Sequence, residues 1–99
     1  MLYHLVSMRF TDPTTDAQID AIARGLQALP SSIEDIRSLR CGRDVVRSDR
    51  SYDFGLLVVL EDEAALARYR DHPEHQRVLK DLIRPAVAQV VAVDFVAEG

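Results

Sequence analysis

The chain has 99 residues, 47% of them hydrophobic and 28% charged, which fits one ordinary globular domain (1–99) and excludes collagen-like, coiled-coil and disordered classes. Its net charge of −4, with acidic residues spread along the chain and no basic stripe interleaved with aromatics, argues against a nucleic-acid partner. A single cysteine, Cys41, offers neither an internal disulfide nor a thiol cluster for zinc, which points to a reducing compartment and so to the cytoplasm.

The chain opens on MLYHLVSMRF, where no basic residue precedes the apolar part. Its longest apolar run, FGLLVVL, falls far short of the roughly 20 residues that span a bilayer, so neither export signal nor membrane contact is expected. Residues 2–10 alternate with the two-residue period of a strand: Leu2, His4, Val6, Met8 and Phe10 share one face, Tyr3, Leu5, Ser7 and Arg9 the other. His4 therefore points the same way as four apolar side chains.

The period then changes to that of a helix, with Ile19, Ile22, Ala23, Leu26 and Leu29 on one stripe. Thr15 and Gln18 form a capping box at its start, and Pro30 stops it. A more polar strand is expected over 33–41, at or near a sheet edge, followed by a turn-rich loop holding Arg43, Arg47 and Arg50. These arginines suit an anionic ligand less well than they suit solvent.

A largely buried strand follows at 53–60. Helical segments at 62–72 and 73–84 meet at Pro73, which pushes His72 out of the helical region and itself suits the first position of the second helix. The last strand, 86–96, is apolar on both faces, with Val87, Val91, Val93 and Phe95 on one side and Ala88, Val90, Ala92 and Val96 on the other. Asp94, within it, needs a partner such as a backbone donor or an arginine.

The order β-α-β-β-α-β predicts an α+β, ferredoxin-like chain: a four-stranded antiparallel sheet with its helices on one face. The other face would then expose Leu57, Val59, Val91 and similar groups, so an obligate homodimer through that face is expected.

His75 precedes Val78, Leu79 and Leu82 by three, four and seven positions and so lies on the apolar stripe of its helix. An imidazole there is either a core histidine satisfied by one carbonyl or a general acid/base in a pocket wall, and spacing leaves both open. Tyr69, on the apparent face of Leu66, is either a core aromatic or a donor to a carbonyl or enolate oxygen. His4 is positioned to join them in a small-molecule pocket. His72 reads as the cap of the second helical segment. Its H-x-x-H spacing with His75 is a weak metal signal, because Pro73 intervenes and no cysteine assists, so no metal is expected.

The segments HLVSMRF, YDFGLLVVLED, YRDHPEH and VVAVDF, in that order and over most of the chain, resemble those of the stress-responsive A/B barrel (Dabb) family. The resemblance implies a ferredoxin-like monomer that dimerises through its sheets into an α+β barrel. A plant cyclase of this family closes a polyketide chain by aldol condensation. By position, the resemblance assigns its base to His75, the assisting tyrosine to Tyr69 and pocket positions to His4 and Phe54. Phe54 stands where that cyclase has a histidine, which makes the pocket more apolar.

Such a site implies a cyclase, isomerase or lyase that abstracts a proton alpha to a carbonyl of a small carbonyl or aromatic compound, with no cofactor. The alternative is a non-catalytic, stress-related module for ligand binding or protein interaction, its histidines satisfied in a filled core.

Overall fold

The computed structural model describes residues 1–98. Four strands, β1 (Leu2–Phe10), β2 (Ser38–Arg43), β3 (Phe54–Leu60) and β4 (Val87–Val96), form one antiparallel sheet in the order β2-β3-β1-β4. Three helices, α1 (Asp16–Gln27), α2 (Glu63–Asp71) and α3 (Pro73–Val78), complete the chain, with a short 3-10 turn at Leu29–Ser31 and a π turn at Leu79–Ile83. This is the ferredoxin-like α+β arrangement that the alternation of periods predicts.

The even-numbered residues of β1 and β3 meet the helices. Leu2, Val6, Met8, Phe10, Phe54, Leu56, Val58 and Leu60 are buried there against Ile22 and Leu26 of α1 and Ala65, Leu66 and Tyr69 of α2. The capping box holds α1 at its start, as Thr15 Oγ1 accepts from the Gln18 N–H at 3.2 Å and Gln18 Oε1 from the Thr15 N–H at 2.8 Å. Gly25 lets α1 approach the π turn, since a Cβ there would lie 2.7 Å from Leu82 Cδ1.

The second strand begins at Ser38, not at residue 33. Ile33 and Ile36 are buried, yet they plug the core from the connection after α1, and their three-residue spacing is that of a turn and not of a pleat. The turn-rich loop correspondingly starts after Arg43, and two of the three arginines assigned to it are engaged by carboxylates. Arg43 pairs with Asp16 and Asp20 of α1 at 2.9 and 3.0 Å, and Arg47 with Asp53 at 3.3 Å.

The last strand keeps the expected open face but departs from expectation at one residue. β4 is the sheet edge beside β1, and every residue from Ala88 to Val96 is exposed. A bulge where β4 passes Arg9 and Phe10 also puts Val87 opposite Phe10, on the helix side and away from Val91, Val93 and Phe95.

The face away from the helices carries Tyr3, Leu5, Leu57, Val59, Val91, Val93 and Phe95. Leu57 and Val59 are half-buried by their neighbours, whereas Leu5, Val91, Val93 and Phe95 are exposed, and Tyr3 and Phe95 stack with ring centroids 5.4 Å apart. At the other end of this face Ser7, Gly55 and Gly42 lie side by side across β1, β3 and β2, leaving the surface low there. No helix among the described residues is long and apolar enough to cross a membrane.

Ile22 is fully buried where α1 meets the sheet. Ile22→Ala is expected to lower the unfolding free energy by about 2–5 kcal/mol, through lost burial and the cavity left behind. Denaturant melts of the two proteins read this directly, and a loss under 1 kcal/mol would show that the helix layer repacks freely.

Candidate functional site

The break at Pro73 builds one wall of the site. Proline has no N–H to continue the ladder of α2, and His72 adopts φ −62°, ψ 135°, which turns the chain before α3 begins. His72 caps α3, its Nδ1 accepting from the Glu74 N–H at 3.1 Å. That bond takes the amide that would otherwise serve the Arg70 carbonyl, four residues back. The carbonyl instead accepts from His75 Nδ1 at 3.0 Å and from Gln76 Nε2 at 2.6 Å.

A carbonyl can only accept, so His75 carries its proton on Nδ1 and keeps a lone pair on Nε2. The ring is 8% exposed, and burial pushes its pKa below the ordinary histidine value, helped by the nearby His4 and His72. At neutral pH it is therefore an uncharged base.

Tyr69 comes from the last turn of α2 and is fully buried. Its ring lies 4.3 Å from that of His75 and 5.8 Å, edge-on, from that of His4. Its hydroxyl has no hydrogen-bond partner among the described residues, and burial raises its pKa well above that of a free phenol. It is a neutral donor with no acceptor among the described residues.

His4 enters from β1. Its Nδ1 lies 2.5 Å from Asp94 Oδ1, directly across the β1–β4 ladder, so the strand carboxylate is answered by a histidine instead of a backbone donor or an arginine. Asp94 is the site residue that sequence reasoning left unassigned. Its partner follows from the register Leu2↔Val96, which places residue 94 opposite residue 4.

His4, Tyr69 and His75 converge on a cavity of about 190 Å³. Val6, Met8, Leu26, Leu56, Leu79 and Ile83 supply apolar walls, and Val90 and Ala92 of the edge strand form the rim. Phe54 does not line this space. It lies opposite Met8, four residues along β1 from His4 and so about 13 Å away, and its ring is engaged edge-on by Phe10 at 6.0 Å. Leu56 takes the cavity wall on β3. His72 stays outside with its cap, and among the described residues no group of three His, Cys, Asp or Glu side chains gathers as metal ligands do.

Residues 2–97 match the model of the Stress responsive A/B Barrel Domain, Dabb. The chain belongs to the Dabb family. An uncharacterized protein of Streptomyces coelicolor is 32% identical over 78 residues, 77% of this chain and 80% of that one. Among solved structures, a dimeric ferredoxin-like protein of unknown function from Thermobifida fusca superposes with a TM-score of 0.88 at 30% identity, covering 97% of this Dabb chain and 90% of its own. Hydroxynitrile lyase from Passiflora edulis reaches 0.86 at 16% identity, over 98% and 93% of the two chains. At that identity the likeness is one of fold.

A buried hydroxyl without a partner costs roughly 1–3 kcal/mol. Tyr69→Phe removes the oxygen and keeps the ring, so this Dabb protein should become more stable, by about 1 kcal/mol or more, as its melting temperature rises. A marked drop instead would reveal a structural bond to the hydroxyl.

Proposed function

We propose that this Dabb protein is a cofactor-free cyclase, isomerase or lyase that removes a proton alpha to the carbonyl of a small, largely apolar compound. His75 Nε2 is the base, and the Tyr69 hydroxyl donates to the oxygen on which the enolate charge develops. His4 shares the polar end of the pocket.

The observation that carries this reading is the pairing of opposites at one end of an apolar cavity. A neutral imidazole is held with its lone pair free, beside a phenol whose only unmet need is an acceptor. A histidine kept only for packing needs no empty space beside it. The volume is below the roughly 300–1,000 Å³ of drug-sized sites and a little above the roughly 150 Å³ that admits benzene, so the ligand is a compact ketone or aldehyde. The fold shared with a hydroxynitrile lyase supports small-molecule chemistry on this scaffold.

The same reading extends to assembly, with two copies packing through their open sheet faces into an α+β barrel. Exposed Leu5, Val91, Val93 and Phe95 support it, as does the similarity to a structure described as dimeric.

The chemical test is deuterium exchange of the methyl protons of acetophenone in heavy water. Wild type should accelerate it, and His75→Ala should lose the acceleration by roughly 100-fold or more. Saturable acetophenone binding without exchange would instead favour the ligand-binding module. For assembly, sedimentation at micromolar concentration should give twice the chain mass. Val93→Glu, which puts a charge in the middle of the apolar face, should give monomers. A wild-type monomer under those conditions would refute the barrel.

A further inference from the structure

The two histidines of the cavity are held by chemically different partners. His75 gives its Nδ1 proton to a neutral backbone carbonyl, whereas His4 Nδ1 faces a carboxylate at 2.5 Å. A carbonyl fixes orientation but adds little to the stability of a cation. A carboxylate fixes orientation and stabilises the imidazolium, as in hydrolase triads. When one site gives two like groups opposite surroundings, those surroundings assign the acid and the base.

We propose that His4, oriented by Asp94, acts in its protonated form as the general acid of this cavity, donating from Nε2 to the carbonyl oxygen as His75 takes the alpha proton. The proposal rests on the reading of His75 as base and adds the group that receives the negative charge. Asp94 does not touch the ligand and is a positioning residue.

The surroundings of His4 are consistent with this role. Asp94 faces it from β4, Tyr69 from α2 and His75 from α3, with Arg70 also at the cavity, while β3 presents Val58 and α1 presents Leu26. Asp94 is the one carboxylate among these groups. Nε2 of His4 makes no hydrogen bond within the described residues, and the His4 side chain is 13% exposed, so its free nitrogen is sheltered beside the cavity.

The step balances. His75 Nε2 takes the alpha proton, the C–H electron pair becomes the enol double bond, the carbonyl π pair moves to oxygen, and that oxygen takes the Nε2 proton of His4. One histidine gains a proton as the other loses one, so no net charge forms in the apolar cavity. Asp94 stays ionised throughout, and Tyr69 supports the oxygen with a hydrogen bond.

Two measurements test the pair. Nitrogen-15 spectra at pH 7 should show both ring nitrogens of His4 protonated and only one of His75. In Asp94→Asn, His4 should become neutral while His75 is unchanged. Acetophenone exchange in Asp94→Asn should fall roughly 100-fold, and the alkaline limb of its pH profile should move to lower pH, a displacement that a merely structural aspartate would not cause. A singly protonated His4 in the wild type, or an alkaline limb that Asp94→Asn leaves in place, overturns the proposal. Wild-type protein with no exchange at all would instead count against His75 as base, and the nitrogen spectra would then judge the His4–Asp94 pair alone.

Discussion

The site depends on one displaced hydrogen bond. Pro73 cannot donate, His72 turns away and captures the Glu74 amide, and the Arg70 carbonyl is left for side chains to satisfy. Such a carbonyl inside a protein must find a donor. The donors it finds are His75 and Gln76, and the first of these bonds fixes the tautomer and direction of the imidazole. The proline therefore acts on the chemistry indirectly, by turning His72 so that its ring takes the Glu74 amide from the Arg70 carbonyl.

A second constraint comes from the sheet. Three helices cover one face of four strands, and they leave the helix-side surface of β4 uncovered, so the cavity lies between the helix layer and the edge strand, with Val90 and Ala92 at its rim. The π turn serves this arrangement: Leu79 and Ile83 both reach the cavity, while the Arg84 N–H still bonds the Leu79 carbonyl at 2.8 Å. Widened turns of this kind recur at functional sites because they redirect side chains without breaking the helix.

What could be read from the chain was local. Thr15 with Gln18, His72 before Pro73, and the stripe through His75, Val78 and Leu79 each announce themselves within one or two helical turns, and the structure contains all three. The misplaced features were those decided at a distance. Ile33 and Ile36 bury themselves without a strand, so hydrophobicity alone moved the start of β2. The bulge that moves Val87 to the helix side of β4 breaks the strand alternation with no local signal of its own. The partner of Asp94 lay 90 residues away and required a register that no local pattern encodes. Phe54, in turn, was placed by its counterpart in a relative, and an aromatic that finds another aromatic to pack against has no need of the pocket.

Asp94 also bears on how this molecule keeps to itself. A ten-residue edge strand with valine, alanine and phenylalanine on its two sides offers a row of unpaired amides and carbonyls to any passing strand, the usual starting point of aggregation. The carboxylate is the one charge in that run, and it points toward the helix side, where an added layer would have to bury it. Neutralising the residue would leave the edge without a charge over its whole length. The side chain that orients an imidazole on one strand thus also guards the solubility of the next, and evolution cannot adjust the first property without moving the second.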